Sequence, residues 1–274
     1  MRKAFTILEL TIVITIMGFM SFTFFGVIDS YIKVNSYKTT FKRIDEIEIA
    51  FLKYLKNNKG LPCPASSSLS FDKDGYGENG DSCVSGNTSF SCDKASKVFE
   101  GGVVVGYKGS VPAVTLGLPA EIMYDGFGRR FTYYLPSNLT CLNGSTTNVN
   151  FHINEDRLAI VKNKSGSTTE LHSYEGLAYV LISHGKNGFG AFTKSGNQVG
   201  YSNSSTDESE NIDLDKIFVF NYFRPESMDD IIRFKDKWQL MVDLDSLEEV
   251  KRYPSDECTC TNISVTKFND LCFN

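Results

Sequence analysis

Residues 5–28 read FTILELTIVITIMGFMSFTFFGVI and carry a single charged side chain, Glu9. At about 1.5 Å rise per residue, a helix of this length measures roughly 36 Å and can span a hydrocarbon core of about 30 Å. Because a segment in lipid must satisfy its own backbone hydrogen bonds, the length predicts a transmembrane helix. A carboxylate in lipid costs about 2.5–3.5 kcal/mol at mid-bilayer and less near the edge. Glu9 therefore either snorkels to the interface or has a partner that offsets this cost.

Only MRKA precedes this run, and no small-residue cleavage site of the A-x-A kind follows it. A secretory signal peptide has such a site after its apolar stretch, so residues 5–28 do not match one. Lysine and arginine flank both ends of the segment, and the positive-inside rule alone does not decide its orientation.

The N-terminal sequence KAFTILE resembles the class III signal of type IV pilins and type II secretion pseudopilins. The resemblance implies that prepilin peptidase removes residues 1–4 as a leader peptide by cleaving between Ala4 and Phe5, and then methylates Phe5. It also implies that Glu9 pairs with the Phe5 amino group of a neighbouring subunit in a fibre. Such a pair is strong at low dielectric and sets the register more than it adds stability. The chain departs from the family in having Ala4 where Gly is usual and Gly26 where many pilins have Pro.

Several segments of the remaining chain resemble a pilin-like subgroup of bacterial proteins. They are LPCPA (61–65), GYGE (75–78), VPAVTLGL (111–118), YDGFGRRFTY (124–133), SHGKNG (183–188) and DESEN (207–211). These segments support membership of the family and carry no known chemistry.

The helix is predicted to continue through an amphipathic half, residues 29–58, in which apolar side chains recur at three- and four-residue spacing. Asn57 and Asn58, followed by Gly60 and Pro62, predict where it ends. The apolar stripe is expected to pack this half-helix onto a head made of residues 59–274. The predicted fold is therefore α+β, with a long N-terminal helix on a mainly antiparallel sheet.

Short apolar and aromatic runs predict the strands of the head. The candidate strands are 103–107, 130–135, 177–183, 189–193 and 216–223. Residues 181–190 resemble a hairpin crossing, and a capping-box pattern at Ser227 opens an amphipathic run that extends to about 252.

All seven cysteines follow the predicted membrane segment. They are Cys63, Cys83, Cys92, Cys141, Cys258, Cys260 and Cys272. Their spacing does not match a zinc site, and their distribution predicts a head exported to an oxidising compartment with up to three disulfides. The pairing stays open, although Cys258 and Cys260 are too close to pair with each other. Export of the head also decides the orientation that the flanking charges leave open.

Calcium is the one cofactor that the sequence suggests. Asp72, Asp74 and Glu78 stand in a Gly-containing acidic loop, and hard cations prefer clustered oxygen ligands on such a turn. The alternative is a solvated acidic loop, and a second acidic run at 207–213 has the same two interpretations.

No catalytic site is predicted. Ser183 and His184 are adjacent in a strand and point to opposite faces, so they cannot act as nucleophile and base. The three histidines, His152, His172 and His184, are scattered, and the Gly-rich segments lack the context of a phosphate-binding loop. A net charge of −5 without a basic stripe in the head argues against nucleic acid as a main partner.

These patterns predict a structural subunit of a type IV pilus or type II secretion pseudopilus, which is not an enzyme. Its expected location is the bacterial inner membrane, crossed once, with the head in the periplasm and the assembled fibre periplasmic or extracellular. Its expected partners are prepilin peptidase, other subunits and the inner membrane, and the size of the head favours a minor subunit. The alternative is a static single-pass anchor that displays a periplasmic binding module without assembling.

Overall fold

The computed structural model describes residues 6–58, 60–79, 92–139, 160–163, 176–200, 206–220 and 228–246. It is an α+β structure with a long helix and a five-stranded antiparallel sheet, as the sequence predicted. Its helices are α1 (Ile7–Asn58), α2 (Thr206–Ile212) and α3 (Lys237–Ser246), with 3-10 turns at Ala120–Met123 and Ser137–Leu139. Its strands are β1 (Ser96–Glu100), β2 (Val103–Ser110), β3 (Thr132–Pro136), β4 (Ile160–Asn163), β5 (Leu177–Ser183), β6 (Ile217–Phe220) and β7 (Ile231–Asp236).

Helix α1 is continuous over 52 residues and ends at Asn58, where the sequence predicted its end. Gly60 and Pro62, which disfavour helix, follow this end. Residues 5–28 were also predicted to cross a membrane. Of the helices in the described ranges, none combines the length and the apolar character that a membrane crossing requires.

The sheet has the strand order β1-β2-β3-β5-β7, and every neighbouring pair is antiparallel. In its centre, Tyr133 of β3 lies opposite Leu181 of β5, and Ile182 of β5 lies opposite Ile232 of β7. Strands β4 and β6 form a separate parallel pair.

Apolar side chains cover both faces of this sheet. On one face, Phe51 of α1 packs against Tyr133 and Tyr179, with ring centroids 4.7 and 5.2 Å apart, and α3 joins the same core. On the other face, Tyr134 packs against Phe218 of β6. Because successive side chains of a strand point to opposite faces, the central strands contribute to both cores. All seven residues of β5 are buried for this reason.

Three predictions about the head are corrected by the structure. Residues 189–193 do not form a strand. Residues 189–190 are a turn, with Gly188 and Gly190 at positive φ values of 65° and 76°, and Phe192 makes an isolated antiparallel bridge with Gln198. Residues 181–190 are therefore not a hairpin, and β5 pairs with β3 and β7. The described part of the run from Ser227 to 252 begins with strand β7, and only Lys237–Ser246 is helical. Strands β1 and β4 were not predicted.

Candidate functional site

The N-terminal end of α1 contains the described part of the predicted processing and assembly site. Ala4 and Phe5 lie outside the described residues, whereas Glu9 lies in the first turn of α1. The Glu9 carboxylate oxygen Oε2 accepts hydrogen bonds from the Thr6 backbone N–H and the Thr6 hydroxyl, each at 3.0 Å. The Glu9 N–H donates to Thr6 Oγ1 at 3.3 Å. These reciprocal bonds form a capping box, in which both residues satisfy groups that the helix end leaves unpaired.

This capping box was not predicted, although the signal for it stands in the sequence. Thr6-x-x-Glu9 before an apolar run is the pattern of a helix N-terminus. The resemblance to pilins predicted that the partner of Glu9 lies in a second subunit. The structure supplies a partner three residues away, which accounts locally for at least part of the cost of placing a carboxylate beside an apolar segment.

The N-terminal half of α1 exposes apolar side chains in every direction. All the described side chains between residues 6 and 20 and between 27 and 32 are exposed, including Ile7 at 84%, Leu8 at 70% and Ile14 at 60%. Further along the same helix, Ile44 and Phe51 are completely buried. One continuous helix is therefore half embedded in the head and half projecting from it.

The turn formed by residues 124–129 contacts α1 at residues 36–43, and we name this contact the clasp. The Gly126 N–H donates to Thr40 Oγ1 at 2.9 Å. Arg43 donates to two carbonyl oxygens of the turn at 3.0 and 3.1 Å. A Cβ at Gly126 would overlap the carbonyl of Ser36, so the helix and the turn approach more closely than a side chain permits. The clasp fixes where the helix leaves the head.

Ser183 and His184 bind different groups in the structure. The Ser183 hydroxyl donates to Asp125 at 2.6 Å, and His184 Nε2 lies 2.8 Å from Thr132 Oγ1. His184 directly precedes the turn at 185–187. His152 and His172 lie outside the described residues.

The predicted calcium ligands Asp72, Asp74 and Glu78 are all exposed. Asp72 contacts Lys73 and Glu78 contacts Lys94, each at 3.9 Å. The structure does not gather these three carboxylates into a group. Within the described ranges, the metal-ligating side chains that it does gather are those of Glu208, Asp229 and Asp230. Glu208 belongs to the second acidic run, whereas Asp229 and Asp230 were not predicted as ligands.

Two of the seven cysteines lie in the described part of the chain, and they form a disulfide. Cys63 and Cys92 have Cα atoms 5.4 Å apart, are both buried and pack with Tyr107. The bond ties the segment that follows α1 to the segment that precedes β1. The other candidates lie outside the described residues: Cys83, Cys141, Cys258, Cys260 and Cys272.

Comparison of the chain with protein-family models, with curated proteins and with solved structures found no match in any of the three. A fold alone does not define a function, so the chemistry and placement of particular residues are the guide to function here. The projecting half of α1, its capped end at Glu9 and the clasp are the features with the clearest functional consequence.

Proposed function

We propose that this chain is a structural subunit of a type IV pilus or type II secretion pseudopilus, and a minor one in view of its large head. The leader, residues 1–4, is removed by cleavage between Ala4 and Phe5, and Phe5 is then methylated. Residues 5–28 lie in the inner membrane until the subunit assembles. Subunits then assemble through α1, with the head outside the cytoplasm. The work of the chain is assembly rather than catalysis.

The observation that carries this proposal is the division of α1 into a packed half and a projecting apolar half. A helix that is apolar on all sides requires apolar surroundings, which are supplied by lipid or by other protein chains. Exposed apolar patches much larger than a few hundred Å² are rare on soluble monomers and mark interaction surfaces. The adjoining leader sequence resembles that of pilins, and this resemblance favours the helices of other subunits as the apolar surroundings.

Glu9 has a role in both the isolated and the assembled subunit. Its Oε2 atom accepts both hydrogen bonds from Thr6, and a carboxylate has a second oxygen with which to accept another donor. In the fibre this donor is the amino group of Phe5 from a neighbouring subunit. The capping box holds the carboxylate in place, so less side-chain freedom is lost when the pair forms.

The Cys63–Cys92 disulfide fits a head that is exported, because disulfides persist in oxidising compartments. Cys63 follows the end of α1, so the bond lies in the head and outside the segment proposed to enter the membrane. The head is periplasmic before assembly and periplasmic or extracellular afterwards.

The processing step is tested by the intact mass of the chain isolated from membranes. A mature chain that begins at N-methyl-Phe5 is the expected result. A chain that retains Met1 to Ala4 would refute the proposal. Replacement of Ala4 by Gly is expected to leave the cleavage site unchanged, whereas Ala4→Glu is expected to block cleavage and fibre formation together.

The charge of Glu9 is tested separately from its capping role. Glu9→Gln keeps an oxygen that can accept from Thr6 but removes the charge, whereas Thr6→Ala keeps the charge and removes the Thr6 hydroxyl. We expect Glu9→Gln to abolish fibres or secretion, and Thr6→Ala to leave most of either. Equal loss in both variants would assign Glu9 to capping alone.

The capping box also favours a second candidate function, a static single-pass anchor that displays a binding module. In that case Thr6 is the only partner that Glu9 requires, and no fibre forms. The anchor predicts an unprocessed N-terminus and normal function of Glu9→Gln, so the same two measurements separate it from the fibre subunit.

A further inference from the structure

Four ionisable side chains from three distant segments meet beside the turn that follows β5. His184 directly follows that strand, Glu208 lies on α2, and Asp229 and Asp230 precede β7. One ligand atom from each of the three carboxylates lies within 4.8 Å of the others. Glu208, Asp230 and His184 are almost completely buried, with exposures of 3%, 4% and 1%. Acidic clusters on a protein surface are solvated, but this one is largely removed from water.

The two aspartates are each held by one carboxylate oxygen. Asp229 Oδ2 accepts the backbone N–H groups of Lys186 and Asn187 at 2.7 and 3.1 Å. Asp230 Oδ2 accepts the side-chain amide of Asn211 at 2.9 Å. Hydrogen bonds of this kind orient the ligands of metal sites, because they fix one oxygen and direct the other.

Three polar atoms of the cluster are buried without a hydrogen bond. Asp229 Oδ1, Asp230 Oδ1 and His184 Nδ1 have no hydrogen-bond partner among the described residues. The contact of His184 Nε2 with Thr132 fixes the ring, and His184 Nδ1 then lies 3.7 Å from Asp230 Oδ1. This distance is too long for a hydrogen bond. It falls in the range of about 3–4 Å that separates two ligands of one ion when each bond measures about 2.1–2.4 Å.

A nearby cation stabilises unpartnered buried oxygens on neighbouring carboxylates, because burying an unpaired charge costs several kcal/mol. Of the two aspartates, Asp230 has an ion-pair contact within the described ranges, with His184 at 3.7 Å.

We infer that Glu208, Asp229, Asp230 and His184 bind one divalent metal ion through three carboxylate oxygens and one imidazole nitrogen. Carboxylates suit hard divalent ions, and imidazole adds affinity for those that accept nitrogen, such as Mn²⁺ and Zn²⁺. The ion would join α2 and the start of β7 to the end of β5. This inference does not rest on fibre assembly.

The test uses the full-length protein in detergent micelles, freed of metal by dialysis against a chelator and titrated with MnCl₂. We expect one Mn²⁺ per chain by calorimetry and a higher melting temperature. Asp229→Asn and Asp230→Asn each keep the oxygen that accepts a hydrogen bond and replace the unbonded one by an amide. Each is expected to weaken Mn²⁺ binding by at least about tenfold, and His184→Gln is expected to weaken it as well.

The matched control is Asp72→Asn/Asp74→Asn, which removes carboxylates from the exposed acidic loop and should leave Mn²⁺ binding unchanged. Circular dichroism of each metal-free variant establishes that it is folded, and Asp229→Asn decides the question if Asp230→Asn does not fold. The inference is overturned if the wild-type chain takes up no Mn²⁺, or if the control variant loses binding. It is also overturned if Asp229→Asn binds Mn²⁺ as tightly as the wild type.

Discussion

The disulfide between Cys63 and Cys92 is expected to supply a large share of the stability of the head. The two residues are 29 positions apart, and closing a loop of this length removes chain entropy worth about 3.6 kcal/mol at 25 °C. Because the net stability of a domain is about 5–15 kcal/mol, losing this bond would remove a quarter or more of it. The perturbation is Cys63→Ala/Cys92→Ala, and the assay is urea unfolding of the head followed by circular dichroism without reductant.

The two single variants are the control for this prediction. Either substitution alone breaks the bond, so each single variant is expected to lose nearly as much stability as the double variant. If the double variant instead loses the sum of the free energies of unfolding that the two single variants lose, the cysteines act independently. A non-reducing peptide map that joins Cys63 to any cysteine other than Cys92 would likewise refute the reasoning.

Three further substitutions test the packing of α1 on the head. Phe51→Ala removes a completely buried ring, and we expect it to lower the free energy of unfolding by about 3–5 kcal/mol in urea unfolding. Gly126→Ala should lower the melting temperature because its Cβ would overlap the carbonyl of Ser36, whereas Gly200→Ala, which has open space around it, should not. Burial raises the pKa of Glu48 above its ordinary value of 4.5, so the protonated carboxyl favours the folded state and stability falls as pH rises above that value. Glu48→Gln should remove this fall in unfolding experiments between about pH 4 and pH 8.

The elements that sequence reasoning predicted correctly are those whose local signals agree with their tertiary surroundings. Strand β5, at 177–183, was predicted with its bounds because it is a continuous apolar run buried on both faces. The end of α1 was predicted because helix-breaking residues follow Asn58. In both cases the sequence near the element contains the cause of the structure.

Strand β7 was mistaken for helix because its sequence, IIRFKD, contains apolar and charged residues that fit either period. Its pairing with β5 decides the outcome, and that pairing cannot be read from the strand itself.

The cluster at Glu208 escaped prediction for a similar reason. Its members are separated by up to 46 positions, from His184 to Asp230, and only the packing of α2 against the end of the sheet brings them together.

The clasp has a mechanical consequence. Helix α1 is a rod about 78 Å long at 1.5 Å per residue, and the clasp begins at Ser36, roughly 44 Å from its tip. A pull on the tip travels along the rod and reaches the head first at the exposed ion pair of Asp29 with Lys186, which contributes little. It then reaches the bonds that Gly126 and Arg43 make. The load is then shared in shear by the buried face around Phe51. A motor that draws on the helix would therefore move the head with it, and the clasp is where the two would begin to separate.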